Sequence, residues 1–119
     1  MISNMDAIFQ RSFIESRHIL FLYTRDVNRD LIQASFFSTA KKDETLLYIG
    51  MEEPESVRSR FGKLNLFPLI IRLEEIKSFL EEVKQDRCFR IISEGILEHM
   101  EINKILNLNE TNTILCMYE

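Results

Sequence analysis

Five short apolar segments recur along the chain, at residues 19–23, 46–50, 68–71, 88–92 and 113–118. Several of them are apolar at consecutive positions rather than at every second position: the first reads ILFLY and the last TILCMY. A strand that is apolar on both faces has to be covered on both, as in a parallel sheet packed between helices. The segments therefore predict the strands of a mostly parallel, five-stranded sheet.

The stretches between these segments have the periodicity of amphipathic helices. Within 73–85, Ile76, Phe79, Leu80 and Val83 recur at intervals of three and four, which places them in one apolar stripe. Weaker stripes predict further helices at 1–16, at 28–42, from Pro54 onward and at 95–106. Strands that alternate with helices indicate βαβ units. The expected fold is α/β, a sheet with helices on both faces, in a single domain over 1–119 in which an N-terminal helix at 1–16 precedes a core at 17–119.

The predicted helix at 28–42 carries two apolar stripes instead of one. Leu31 and Ala34 belong to one stripe, with Val27 just before them, while Ile32 and Phe36 continue to Ala40 on the other side. One stripe can face the sheet, and the second then needs a different cover. Either the N-terminal helix or a partner subunit could supply it.

Charge and composition exclude several classes of protein. The net charge of −4 argues against a protein that coats nucleic acid, and the basic residues Arg58, Arg60 and Lys63 are interpreted as a solvated helix face. No signal peptide or apolar run of membrane-spanning length is found, so we expect a cytoplasmic protein. Cys88 and Cys116 lie in apolar surroundings and are expected to be buried thiols.

Ligands of an open parallel sheet bind at the carboxyl ends of its strands, and the residues at those positions were considered as ligand contacts. The turn after the first predicted strand, residues 24–28, has neither glycine nor lysine, so it cannot form a phosphate-binding loop. His18 and His99 have no second ligand at metal-binding spacing. Glu52 and Glu53 precede a helix, where capping explains them better than acid–base chemistry. The segment Ser93–Glu94–Gly95 is predicted to be a polar turn that either caps a helix or contacts a ligand.

Three segments occur in an order that resembles a known family: His18 to Tyr23, Glu44 to Ile49, and Ile114 to Glu119. Together they are similar to MEDS, the sensory domain of methanogen and methylotroph regulators. The resemblance implies a truncated RecA-like fold without a working phosphate loop, and it implies a non-catalytic sensory role. The matching positions are His18, Tyr23, Tyr48, Cys116 and Tyr118. Two departures are Arg17, where members commonly have glycine, and the expectation that no output domain follows.

The first functional hypothesis is therefore a sensory or regulatory domain that binds a small molecule or a signalling partner. We expect it to act through a separate output protein, namely a kinase, a transcription regulator or an ATPase, or as a homodimer, without direct contact to nucleic acid or membrane. The candidate ligand-binding residues are His18, Tyr23, Glu52, Glu53, Glu94 and Tyr118; no catalytic residue, metal or cofactor is expected. The alternative is an interaction subunit, an inactive relative of RecA-like ATPases. An enzyme that uses Glu52, Glu53 and Glu94 is the third hypothesis.

Overall fold

The structure, a computed structural model, describes residues 18–22, 28–82, 88–94 and 113–118. In chain order, these ranges contain β1 (His18–Leu22), α1 (Arg29–Ser38), β2 (Glu44–Gly50), α2 (Pro54–Gly62), β3 (Leu69–Arg72), α3 (Ile76–Glu82), β4 (Cys88–Glu94) and β5 (Thr113–Tyr118). The predicted α/β class is confirmed. The helices predicted at 1–16 and 95–106 lie outside the described residues.

The strands form one sheet in the order β1-β5-β4-β2-β3, and every neighbouring pair is parallel. All carboxyl ends of the strands therefore lie at one end of the sheet, called here the carboxyl end, and all amino ends lie at the other, the amino end. β4 is the middle strand, between β5 and β2. Its last residue, Glu94, stands beside Met117 of β5 at the carboxyl end.

One face of the sheet is packed against α1 and α2. Ile32 and Phe36, which formed one of the two predicted stripes of α1, are buried there together with Phe37. The helices also bury Val57 and Phe61, and the strands contribute Tyr48, Ile92, Leu115 and Met117. In the other stripe Ala34 is buried, whereas Leu31 is 53% exposed. The sheet thus covers the stripe of Ile32 and Phe36.

The buried residues of the opposite face alternate with those of the first along β2, β4 and β5. Leu47, Ile49, Ile91, Ile114 and Cys116 form this second core with Ile71 and Phe89, and Ile76 and Phe79 of α3 pack against them. The rings of Phe79 and Phe89 meet edge to face, with centroids 5.8 Å apart. Both faces of the central strands are consequently apolar in the middle, which explains their non-alternating sequences.

Local hydrogen bonds set the limits of α1. Asn28 is the N-cap, and its Oδ1 accepts from the Leu31 N–H at 3.1 Å, so the predicted helix start is confirmed. The predicted end at 42 is wrong, because the helix stops at Ser38. There Thr39 satisfies the Phe36 carbonyl through both its N–H and its Oγ1, the latter at 2.8 Å. These bonds replace the next helical turn.

Of the other two helices, α2 begins at Pro54 as predicted, whereas α3 does not begin where predicted. The predicted helix at 73–85 opens with a 3₁₀ turn at Leu73–Glu75 and becomes α-helical only at Ile76. α2 ends at Gly62, as its glycine suggested, but the left-handed residue that reverses the chain is Asn65, with φ of 63°. The Leu66 N–H then donates to the Phe61 carbonyl at 3.0 Å and closes the reversal.

Candidate functional site

The Glu94 carboxylate is the centre of a buried polar cluster at the carboxyl end of the sheet. Its side chain is 10% exposed. Oε2 accepts from the Tyr48 hydroxyl at 2.5 Å and from Gln33 Nε2 at 3.1 Å. Oε1 accepts from Arg29 Nη1 at 2.6 Å. Both oxygens are therefore engaged, and the three donors come from α1 and from the neighbouring strand β2.

A second carboxylate, Glu52, lies two residues beyond β2 and is held by two arginines. Arg60 of α2 donates two hydrogen bonds to it, from Nε to Oε2 at 3.2 Å and from Nη2 to Oε1 at 3.0 Å. Arg29 Nη2 reaches the same Oε1 at 3.3 Å. The Arg60 contact is bidentate, the strongest arrangement that arginine and carboxylate form. Arg29 links the two carboxylates, because its other terminal nitrogen binds Glu94.

The buried amide of Gln33 joins the two halves of the cluster. Its Oε1 accepts from Arg60 Nη1 at 2.7 Å while its Nε2 donates to Glu94, so both ends of the amide are used. The Arg60 guanidinium also lies over the Phe61 ring, 4.4 Å from its centroid. We call the set of Arg29, Gln33, Tyr48, Glu52, Arg60 and Glu94 the carboxyl-end cluster.

The charges of the two arginines and two glutamates in the cluster cancel. The surroundings of Tyr48 and Arg29 raise the pKa of both groups, so both stay protonated. Burial raises the pKa of the Tyr48 hydroxyl, and the bond to the Glu94 carboxylate raises it further. Burial lowers the pKa of Arg29, but its bond to Glu94 and the charges of Glu94 and Glu52 outweigh that effect and raise it overall. Tyr48 is therefore a permanent donor at neutral pH, and Arg29 a permanent cation.

Local sequence explains why these side chains converge. Arg29 and Gln33 are four residues apart at the start of α1, on the side that also carries Ile32 and Phe36, so they lie above the ends of the strands. The Tyr48 ring reaches along β2 over Gly50. A Cβ at residue 50 would lie 2.8 Å from the Tyr48 hydroxyl oxygen, so only glycine leaves the ring this path.

The structure brings together two of the six candidate ligand-binding residues, Glu52 and Glu94. Ser93 and Glu94 are the last residues of β4, so the predicted turn at this point is wrong. Glu53 is the N-cap residue of α2 but makes no side-chain capping bond, and its carboxylate instead accepts from Arg72 Nη2 at 2.5 Å. The predicted position at the helix start is therefore confirmed for Glu53, although no side-chain capping bond accompanies it.

The remaining three candidates are His18, Tyr118 and Tyr23. His18 is the first residue of β1 and pairs with Ile114, which places it at the amino end of the sheet. Tyr118 ends β5 beside Leu22 at the carboxyl end. Tyr23, the turn at 24–27 and His99 lie outside the described residues.

Sequence reasoning missed four members of the cluster: Arg29, Gln33, Tyr48 and Arg60. The sequence predicts a solvated helix face for Arg60, but its side chain is only 15% exposed, so that interpretation is wrong. One signal was available. Arg29 and Gln33 continue the Ile32 and Phe36 stripe toward the helix start, and Arg60 stands three residues after the buried Val57. Polar residues that continue an apolar stripe indicate a buried polar network.

A second buried ion pair lies at the amino end of the same sheet face. Arg90 Nε binds Glu44 Oε1 at 3.2 Å, and Arg90 Nη1 donates to the Phe36 carbonyl near the end of α1 at 3.2 Å. The Arg90 guanidinium stacks over the Phe36 ring, 4.6 Å from its centroid. The side chains of Arg90 and Glu44 are 3% and 6% exposed. We call these two residues the amino-end pair.

The thiol of Cys116 lies in the core of the opposite face, as predicted, and burial raises its pKa to about 11. It is therefore a thiol rather than a thiolate at neutral pH. Cys88, predicted to be buried as well, is only half-buried. Among the described residues, no group of three histidine, cysteine or acidic side chains is placed to hold a metal ion. Within the same ranges, no helix is both long and apolar enough to cross a membrane.

Comparison of the chain with protein-family models, with curated proteins and with solved structures gives no match. The resemblance to MEDS stays a prediction from the three sequence segments.

Proposed function

We propose that the chain is a non-catalytic sensory or regulatory domain whose ligand, a small molecule, binds at the carboxyl end of the sheet. The observation that carries the proposal is the carboxyl-end cluster. Removing four charged groups from water costs more than an apolar core of the same volume, so a chain selected for stability alone gains little from such a cluster. The cluster also occupies the end of a parallel sheet at which ligands bind.

The chemistry of the cluster favours recognition over catalysis. The Tyr48 hydroxyl is held as a donor and the Glu94 carboxylate as an acceptor, each by bonds that a reaction would have to break. The wider proposal follows the MEDS resemblance: a truncated RecA-like fold with helices on both faces, located in the cytoplasm and signalling through a separate kinase, transcription regulator or ATPase. Ligand binding would act on that partner through α1 and α2, since both helices carry cluster residues.

A thermal-unfolding screen tests the proposal against a panel of carboxylates, phosphates, nucleotides, sugars and amino acids. A ligand at about one hundred times its Kd stabilises the folded state by about 2.7 kcal/mol. We expect one class of compound to raise the Tm of the wild-type protein and of Glu44→Gln, and to leave that of Glu94→Gln unchanged. Glu44→Gln is the matched control, because it also removes a buried paired carboxylate but lies at the amino end.

Two outcomes of the screen would contradict the proposal. In the first, no compound stabilises the wild-type protein. In the second, the active compound stabilises Glu94→Gln as much as it stabilises the wild type. Circular dichroism of each variant before the screen establishes that a lost response reflects lost binding rather than unfolding.

A second candidate function, an interaction subunit that homo-oligomerises or pairs with an active ATPase, is favoured by a different surface. An open groove of about 750 Å³ runs along the outer side of α1, between Leu31, Ala34, Ser35 and the loop residue Leu64. Leu31 and Leu64 are 53% and 55% exposed. Light scattering of the wild-type protein and of Leu31→Lys tests this candidate: a dimer that the substitution dissociates supports it, and a monomer at all concentrations argues against self-association.

A further inference from the structure

The two carboxylates of the carboxyl-end cluster are carried by different kinds of segment. Glu94 ends a central strand, whereas Glu52 lies in the bend between β2 and α2, next to Met51, which is 75% exposed. The Glu52 side chain is itself 22% exposed, against 10% for Glu94. A side chain on a short surface connection can leave its partners without disturbing the sheet, and one on a central strand cannot.

Three N–H groups from two arginines converge on Glu52. Arg29 Nη2 and Arg60 Nη2 donate to Oε1 at 3.3 and 3.0 Å, and Arg60 Nε donates to Oε2 at 3.2 Å. A planar guanidinium recognises any carboxylate or phosphate through such a pair of bonds, whichever molecule carries it. The donors needed to bind an anion are therefore already placed, and a side chain of the protein itself is the bound anion.

The rest of the cluster can keep both arginines oriented when Glu52 withdraws. Arg29 retains its 2.6 Å bond to Glu94, and Arg60 retains its 2.7 Å bond to Gln33 and its stacking on Phe61. Without the exposed Asp30, the two arginines and Glu94 then carry a net charge of +1. The only other carboxylate close to these arginines among the described residues is Asp30, which lies 3.4 Å from Arg29 Nε and 3.7 Å from Arg60 Nη1. Its side chain is 58% exposed, so water and salt screen its charge more than that of Glu94. The emptied site therefore attracts an anion.

We infer that Arg29 and Arg60 bind the carboxylate or phosphate group of a small molecule, and that Glu52 is a built-in competitor which fills the site until that group displaces it. The inference rests on the proposed function and names the ligand class of the same site. If Glu52 occupies the site for about nine-tenths of the time, it weakens ligand binding about tenfold. The competition then sets the ligand concentration to which the domain responds.

Titration calorimetry with inorganic phosphate, and separately with acetate, tests the inference at constant ionic strength. The variants are Glu52→Gln, which removes the charge, and Glu52→Ala, which also vacates the space. Glu53→Gln is the matched control: it changes the net charge equally one residue away, but Glu53 contacts Arg72 rather than either cluster arginine. We expect both Glu52 variants to bind at least one of the two anions about tenfold more tightly than the wild type, and Glu53→Gln to bind it like the wild type.

Two results would overturn the inference. One is folded Glu52 variants that bind phosphate and acetate no more tightly than the wild type. The other is an equal gain in Glu53→Gln, which would assign the effect to overall charge. A third test uses the wild-type protein. The Nε–H NMR signals of Arg29 and Arg60 should shift when phosphate or acetate is added. Signals that do not shift with either anion would also overturn the inference.

The thermal screen separates failure of this inference from failure of the proposed function. Suppose that a compound stabilises the wild type but not Glu94→Gln, while the Glu52 variants bind anions no more tightly than the wild type. The proposed binding function is then supported, and the proposed role of Glu52 is contradicted. The absence of any stabilising compound, for the wild type and the Glu52 variants alike, removes both.

Discussion

Two groups of paired charges lie on the same face of the sheet, beneath opposite ends of α1. The amino-end pair holds the end of the helix through the Phe36 carbonyl, and the carboxyl-end cluster holds its start through Arg29 and Gln33. The two groups differ in their contact with solvent. The amino-end side chains are at most 6% exposed, whereas exposure among the charged side chains of the cluster rises from 10% at Glu94 to 36% at Arg29.

The difference in exposure indicates different roles for the two sets of arginine–glutamate ion pairs: a structural role for the amino-end pair and a binding role for the carboxyl-end cluster. A closed ion pair cannot exchange a partner with solvent, so the amino-end pair can only hold elements together. A cluster whose exposure increases from one member to the next has a fixed side and an exchangeable side. Glu94 belongs to the fixed side, and Glu52 and Arg29 belong to the exchangeable side. The two groups therefore make different predictions for substitution.

The largest effect is expected from breaking the amino-end pair. Arg90→Leu leaves the buried Glu44 carboxylate without its arginine and the Phe36 carbonyl without that donor, so the free energy of unfolding should fall by about 3–5 kcal/mol. Urea denaturation measures the change. The double variant Glu44→Leu with Arg90→Leu removes both charges and should recover part of the loss. A loss below about 1 kcal/mol in the single variant would mean that solvent reaches this pair after all.

High pH should weaken the folded state through two groups with raised pKa values, Cys116 and Tyr48. A group whose pKa is raised on folding stabilises the protein below its unfolded pKa, and this stability is lost as the pH rises above that value. Cys116 should contribute a loss of about 2–3 kcal/mol between pH 9 and 11, and Tyr48 should steepen the decline above pH 10. Urea denaturation at successive pH values measures both.

Single variants separate the two contributions to this decline. Cys116→Ala should remove the slope that begins near pH 9, and Tyr48→Phe should remove only the added slope above pH 10. An unchanged slope in Tyr48→Phe would argue against the buried bond between Tyr48 and Glu94.

The path of the Tyr48 ring can be tested through Gly50. In Gly50→Ala the new Cβ meets the Tyr48 hydroxyl at 2.8 Å, so the ring must move and its bond to Glu94 should weaken. We expect a loss of about 1–3 kcal/mol in the free energy of unfolding. Gly62→Ala is the matched control, because nothing lies within 4 Å of a Cβ there and the helix should gain up to about 1 kcal/mol. Equal effects of the two substitutions would contradict the proposed packing.

The smallest effect is expected from the exposed pair of Glu53 and Arg72. The Glu53 side chain is 73% exposed, so water and salt screen its charge. Glu53→Gln should change the free energy of unfolding by less than about 1 kcal/mol. Thermal denaturation in low and in high salt measures this change, and a larger loss would place Glu53 among the structural charges. A small change in the free energy of unfolding also makes Glu53→Gln a suitable control for the Glu52 variants in the anion titrations.

Several parts of the fold could be predicted from local sequence. The N-cap Asn28, the apolar stripe of Ile32 and Phe36, and the strand at 113–118 follow from short-range patterns, because capping and periodicity involve neighbours along the chain. The end of α1 could not be predicted in the same way. The helix ends because the Thr39 hydroxyl donates to the Phe36 carbonyl. Local helix propensities do not determine whether Thr39 caps the helix or continues it.

The candidate site was predictable only in part. Glu52 and Glu94 were found because each comes at or just after the end of a strand, and the rule for parallel sheets points to those positions. Arg60 was missed because it precedes Glu94 by a long stretch of chain and meets it only after α2 packs on the sheet. Tyr48 was missed because it stands within an apolar segment; its ring is buried in the core, but its hydroxyl reaches Glu94.

By itself the sequence determined the class of this fold: consecutive apolar residues require strands covered on both faces, and the intervening periodicity requires helices. The tertiary structure alone decided the strand order, and with it which charges meet. β4 lies next to β2 although more than thirty residues separate them, and this pairing brings Glu94 within reach of Tyr48. The energy of a buried charge depends on partners in three dimensions, so no local pattern could show which carboxylate Arg60 would meet, or distinguish Glu52 from Glu53.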